Sequence, residues 1–409
     1  MEFFTTINSV YVMIGSIALG AMCGMLGVFG VLRKQGLLGD ALAHAALPGI
    51  AIAFLIMGER ILAGLLLGAL VSGLLGAFCI QYLVKATKIK MDSAMAAVLS
   101  VFFGFGIVLL TFIQRLPSAS KAGLDTFLFG QAAALLKIDV ILMSSIFLFT
   151  LLVVFIFWKE LKMFIFDSSF AAVLGFRSRF FEILFMTIYV LAILVSLQAV
   201  GVVLTAAMFI TPAAAALLWT KRLLSAVVLS VVFGSISSAS GAYVSIVAEG
   251  MPTGPVIVMA ASVIFLFSFM FASRGGIVWK AIERYKYSKK VNLENLLAKL
   301  YRDTESGVNK WQRSDISLIM LWRLRSNGYI NSGNEITLTK KGLVSGFKVV
   351  QKHRLWETYL VERMNFSHDH VHRDAEIMEH LLTDDVVEKI NSILGNPKVD
   401  PHGKSLKMK

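Results

Sequence analysis

The apolar positions of this chain gather into long unbroken runs through its first two thirds. Nine such runs are present, at 8–31, 41–57, 61–84, 92–113, 138–158, 180–198, 201–219, 223–246 and 254–272. A helix needs about 20 apolar residues to cross the hydrocarbon of a bilayer, so each run predicts a membrane-spanning helix. The second is short and holds Pro48 and Gly49, which predicts a broken or bent span whose freed backbone groups find protein or water partners. After Arg274-Gly275-Gly276 the runs cease and the pattern turns polar.

Composition agrees with that division. Of 409 residues, 57% are hydrophobic and only 16% charged, against about a quarter charged in soluble domains. Residues 1–274 carry 16 Lys/Arg and 10 Asp/Glu, whereas the remaining 135 carry 23 and 16. Cys23 and Cys79 both lie inside apolar runs, where packing rather than a disulfide is expected. Orientation follows from the basic residues. With nine spans and the N-terminus outside, twelve Lys/Arg fall in inner loops and four (Arg60, Arg115, Lys121, Lys137) in outer ones. The predicted fold is an all-α polytopic membrane protein, N-out and C-in, followed by a cytoplasmic domain.

Acidic residues in the first part sit mostly at span ends, with one exception that bears on chemistry. Asp40 and His44 stand four apart at the start of the second span and so share a helix face. They either close off the helix and bond one another, or ligate a cation; carboxylate with imidazole suits manganese, iron or zinc. The run Gly39-Asp40-Ala41-Leu42-Ala43-His44-Ala45-Ala46-Leu47-Pro48-Gly49 resembles the signature of the metal-ion ABC transporter permeases. Gly201 to Ala214 (with Thr205, Thr211 and Pro212) and Phe127-Leu128-Phe129-Gly130 resemble two further motifs of that family. The resemblance spans about 8–275. It implies Asp40 and His44 on an ion path, a homo- or heterodimeric permease pair, a cytoplasmic ATP-binding subunit and an extracytoplasmic metal-binding protein. It also implies that the stretch holding Asp167, Ala171 and Gly175, otherwise a plain connecting helix, docks into the ATPase. No Gly-x-x-x-x-Gly-Lys-Ser/Thr loop occurs, so the chain is expected not to hydrolyse ATP alone.

The polar part divides into a basic juxtamembrane linker, 276–291, suited to anionic lipid, and a domain, 292–409, that holds six of the seven histidines. His353 and Glu357 are i,i+4; His372, Glu376, Glu379 and His380 share a second helical face. Such faces are either solvated charge or divalent metal sites. His353 to Leu360, Val371 to His380 and Asn396 to Gly403 resemble the diphtheria-toxin-repressor family of metal-dependent regulators. By that resemblance Glu376, Glu379 and His380 serve a primary metal site, and His353, Glu357 and His372 an ancillary one. The domain would be mainly α, winged-helix and dimerising. Two departures stand out. Asn295 falls where the family's first helix gives a further primary ligand, with Glu294 about 100° away on an ideal helix. Between Ile316 and Gly328 there is room for one helix, where a helix-turn-helix needs two, which counts against sequence-specific DNA binding.

These features predict a permease subunit of an ATP-driven importer of manganese, iron or zinc, with residues 1–275 as the membrane domain. The C-terminal domain would sense metal or mediate dimerisation. The alternatives are a tethered or proteolytically released metal-dependent transcription regulator, and an ATP-independent secondary metal transporter.

Overall fold

In a computed structural model the chain forms two compact units, 1–280 and 281–409. The structure describes residues 7–58, 61–115, 137–166, 170, 173–174, 178–248, 251–332, 335–366, 376 and 378–408. The Phe127–Gly130 motif, Asp167, Ala171, Gly175, His368, His370 and His372 lie outside them.

The membrane unit is helical: α1 (Ile7–Leu32), α2 (Leu38–Met57), α3 (Leu62–Ala86), α4 (Met91–Arg115), α5 (Lys137–Ile156), short α6 (Trp158–Phe166), α7 (Ser178–Val200), α8 (Val202–Trp219), α9 (Leu223–Val247) and α10 (Thr253–Phe271). Each of the nine expected spans has its helix among them. Eight described helices are long and apolar enough to cross a membrane; the apolar stretch of α8, Leu204–Trp219, is shorter. α7 and α8 meet without a loop, because Gly201 alone turns the chain at φ 88°. That is backbone a side chain rarely permits. α8 is buried deeply, with Met208, Phe209, Ala213, Ala215 and Ala216 fully enclosed.

The broken second span predicted from Pro48 is not observed: α2 is continuous and starts earlier, at Leu38. Pro48 cannot donate to the His44 carbonyl one turn back. A neighbouring helix packs closely on the next residue, the Ser72 hydroxyl of α3 donating to the Ala45 carbonyl at 2.5 Å. α3 comes that close because Gly49 and Gly68 face each other, where a Cβ on either would overlap the other's carbonyl. Without a hydrophobic drive between helices in lipid, such small-residue approaches carry the packing. α1 and α9 join by the same means, with the Ser230 hydroxyl donating to the Gly24 carbonyl at 2.7 Å.

The second unit contains α11 (Ile277–Glu305, from its residue 281), α12 (Leu318–Ser326), the hairpin β1 (Ile330–Ser332) and β2 (Ile336–Leu338), α13 (Lys340–Met364) and α14 (Asp384–Ile393). The strands are antiparallel, pairing Ile330 with Leu338 and Ser332 with Ile336. They close a small core with Leu297, Leu300, Trp311, Ile316 and Leu324. Between Ile316 and the hairpin stands one described helix, α12, and its Leu318, Ile319 and Trp322 are exposed. Thr339 caps α13 by accepting the Gly342 amide hydrogen at 3.0 Å. α13 packs on α14 through Leu355, Leu382 and Ile390.

Candidate metal sites

In the membrane unit the first turn of α2 carries Asp40, and His44 follows one turn later, with Nε2 3.3 Å from Asp40 Oδ1. The N-cap residue is Leu37, with no side-chain cap bond, so Asp40 does not close the helix. The His44 ring sits edge-on to Phe103 of α4, centroids 4.6 Å apart. Its Nδ1 is buried without a hydrogen-bond partner among the described residues. Leaving such an atom unsatisfied costs about 1–3 kcal/mol, which a residue kept only for packing would have no reason to retain. Between them, Ala41, Leu42 and Ala43 are buried and fix the helix face. The pair therefore holds one carboxylate and one imidazole against each other and leaves Nδ1 without a partner among the described residues.

The second unit assembles a denser group. His353 and Glu357, on adjacent turns of α13, meet through Nε2 and Oε1 at 3.0 Å. His353 Nδ1 lies 2.7 Å from Glu379 Oε2. The other oxygen of Glu379 is 3.4 Å from His380 Nε2, so one carboxylate bridges two imidazoles. Burial alone would lower the His353 pKa, but the hydrogen bonds to Glu357 and Glu379 outweigh it and push it up to about 9. The His380 ring is further flanked by α11: Glu294 Oε2 is 2.7 Å from Nδ1 and Asn295 Oδ1 2.7 Å from Nε2. Positions 100° apart on a helix both reach the ring because it lies across the helix face with its two nitrogens pointing different ways.

Glu379 and His380 are thus brought together, while the exposed Glu376 lines a cavity of about 230 Å³ with His353, Glu357, Asp400 and His402. Among the described residues no group of three or more His, Cys, Asp and Glu stands ready to hold a metal; the donors are paired with one another instead. The set nonetheless fits a hard or borderline divalent ion, being carboxylate, imidazole and amide oxygen with no thiolate.

Sequence reasoning missed two parts of this group. Glu294 is one. The other is Arg354, 4% exposed, which grips Glu305 with both terminal nitrogens at 3.0 and 2.5 Å, reaches Asp400 at 3.5 Å and donates to the Ser405 carbonyl at 2.9 Å. It ties α11, α13 and the C-terminal segment around the cavity. Its neighbour His353 and its partner Asp400 both stood in the motifs, but nothing in their spacing announces the fork.

The short helix α6 precedes the three residues expected to couple to an ATPase. Its Phe164 is buried beneath the Arg33 guanidinium, 4.0 Å from the ring centroid, a cation–π contact joining the end of α1 to α6.

Residues 7–272 match the ABC 3 transport family. The chain belongs to that family. Residues 339–406 match a second one, the iron dependent repressor, metal binding and dimerisation domain. This ABC 3 family member is 40% identical over 373 residues, 88% of it and 86% of the relative, to the manganese transport system membrane protein MntC of Bacillus subtilis (strain 168). It is 42% identical over 288 residues, 70% of it and 97% of the relative, to the zinc transport system membrane protein TroC of Treponema pallidum (strain Nichols). Among solved structures it resembles PsaBC from Streptococcus pneumoniae in complex with Fab, at 33% identity and a TM-score of 0.59, covering 67% of this chain and 95% of that one.

Proposed function

We propose that this chain is the permease subunit of an ATP-driven importer of divalent transition-metal ions, manganese foremost, with iron or zinc as the other candidates. The observation that carries it is the Asp40–His44 pair on a continuous α2, with a buried imidazole nitrogen that no group among the described residues satisfies. A desolvated ion would trade part of its hydration shell for the Asp40 carboxylate and the His44 imidazole. Two donors hold an ion less firmly than a closed set, which suits a path the ion must also leave. The manganese and zinc transport roles named for the relatives support the ion class.

In this reading the N-terminus faces outward and the second unit is cytoplasmic. The ion arrives from an extracytoplasmic binding protein, and a second permease subunit completes the path. A separate ATP-binding subunit drives transport, docking at the stretch that contains Asp167, Ala171 and Gly175. The second unit senses cytoplasmic metal. Primary donors Glu376, Glu379 and His380, with ancillary His353, Glu357 and His372, would bind an ion, stabilise one arrangement of paired domains and bias the attached permease. The bridging Glu379 favours that role, because an ion engaging it at either imidazole alters what the other faces.

The test is metal uptake into proteoliposomes holding the chain and its ATPase, with manganese, iron and zinc offered in turn through the binding protein. Uptake that requires ATP on the cytoplasmic face and fails in His44→Ala is expected. Uptake indifferent to ATP would replace the reading with a secondary carrier. ATP-driven uptake that survives the substitution would remove His44 from the path.

A further inference from the structure

Glu294 has no part in the sites assigned so far, yet its carboxylate makes one of the two shortest contacts of His380. Its Oε2 lies 2.7 Å from Nδ1, while Asn295 Oδ1 and Glu379 Oε1 lie 2.7 and 3.4 Å from Nε2. Ionised carboxylates and an amide oxygen can only accept, so with no ion present both ring nitrogens carry hydrogen, Nδ1 toward Glu294 and Nε2 toward Asn295 and Glu379. A cation that displaces the Nε2 hydrogen meets that nitrogen and two oxygens, while Nδ1–H stays on Glu294. The other Glu294 oxygen is 3.7 Å from Lys290 Nζ, one turn back on α11, which keeps the carboxylate from swinging away. The His380 side chain is 4% exposed and has little freedom to turn over. A cavity of about 330 Å³ bordered by Lys290, Glu294, Glu379 and His380 gives an ion a way in.

We propose that Glu294 is a positioning residue for the metal-sensing group: by holding His380 Nδ1–H it fixes the tautomer that aims Nε2, with Glu379 and Asn295, at a divalent ion. The inference rests on the sensor reading above. A metal-bound imidazole commonly gives its other N–H to a carboxylate, and losing that partner weakens metal binding about 10–100-fold. Glu294 takes this role although its neighbour Asn295 occupies the ligand position, because the ring is reached from both positions. It also compensates for Asn295, a neutral and weaker donor, by raising the basicity of the nitrogen that binds.

The experiment is a manganese titration of the full-length chain in nanodiscs, read by the electron paramagnetic resonance signal of free Mn²⁺. It is run in a His44→Ala background so that the membrane pair does not contribute. Glu294→Ala is expected to weaken binding about 10–100-fold. Glu294→Gln, whose amide oxygen still accepts Nδ1–H, should restore it to within about threefold, as expected for a preserved neutral hydrogen bond. Equal losses in both variants would make Glu294 a ligand and overturn the positioning role. Unchanged binding in Glu294→Ala would overturn it too, leaving the contact as packing. Absence of binding in the Glu294-containing chain would instead sink the sensor reading itself. Should Glu294→Ala fail to fold, ¹⁵N shifts of His380 in the otherwise unaltered chain loaded with diamagnetic Zn²⁺ decide the matter: a hydrogen on Nδ1 is expected, and one on Nε2 overturns the proposal.

Discussion

The two histidine–carboxylate groups of this molecule are built on the same local rule and differ in everything around it. Asp40 with His44, and His353 with Glu357, are both i,i+4 pairs on a helix, 3.3 and 3.0 Å apart. In the membrane unit the pair stands among alanines, leucines and Phe103, with Nδ1 of His44 unpartnered. In the second unit both nitrogens of His353 face carboxylates, and Glu379 links that ring to His380. An ion meets two donors in the first place and a connected set in the second. Sparse donors permit passage and dense ones permit retention, so under the proposed function the same pair would serve transit in one unit and sensing in the other.

The sharpest way to break this contrast is to attack what holds the dense group together. Arg354 and Asp400 are almost fully buried, with side chains 4% and 2% exposed. Removing one member of a buried ion pair strands the other and costs about 3–5 kcal/mol. Arg354→Ala should therefore unfold or loosen the second unit in chemical denaturation while ATP-driven uptake persists. If that variant lost uptake at once and kept a normal unfolding profile, the fork would belong to transport and not to the sensor's architecture.

Next come the ligands, where the two groups should respond independently. His44→Ala should reduce uptake roughly 100-fold or more, since even an outer partner of a ligand is worth about 10–100-fold. It should leave metal binding by the second unit unchanged. Glu379→Gln should do the reverse: uptake by metal-free vesicles is retained, binding to the second unit falls by roughly 100-fold, and inhibition by internal metal disappears. Uptake that stays sensitive to internal metal in Glu379→Gln would detach the second unit from regulation.

How far these features could be read from the sequence depended on how local they are. The nine helices were legible because span length and apolar content are properties of one segment. The boundary between α7 and α8 was legible within about two residues, and Gly201, with φ 88°, turns the chain there. Pro48 and Gly49 predict a broken or bent α2, and the helix is continuous from Leu38 to Met57, with Ser72 of α3 bonded to its Ala45 carbonyl, a partner no reading of α2 could supply. Asp40, His44, His353 and Glu357 were visible through their four-residue spacing. Helix geometry points Glu294 away from the ligand position, and it reaches the site through the His380 ring, packed on α11 from 86 residues along the chain.

A smaller effect comes from protons. His353 carries a pKa of about 9 because Glu357 and Glu379 hold its charged form against the effect of burial. Metal takes the neutral imidazole, so binding at neutral pH must expel that proton. In a chain with His44→Ala and His380→Ala, leaving the His353 group, manganese affinity should rise about tenfold per pH unit and level off near 9. The direction follows from the sign of the shift: a raised pKa favours the proton over the metal until the pH exceeds it. A flat profile between pH 7 and 9 would remove His353 from the ligands.

The smallest effect tests whether charge in the membrane unit is peripheral, as the contrast requires. Lys85 of α3 and Glu182 of α7 meet at 2.5 Å, but the lysine side chain is 56% exposed. An exposed pair gives back most of its Coulomb energy to hydration and side-chain entropy, leaving about 0.2–1 kcal/mol. The helices it joins are otherwise held by apolar contacts such as Gly73 against Val190. Lys85→Ala should lower the melting midpoint of the full chain by no more than about 4 °C, far less than the change at Arg354. A loss as large as that of Arg354→Ala would mean that the membrane unit also depends on a central ion pair. Sparse charge would then no longer distinguish the path from the sensor.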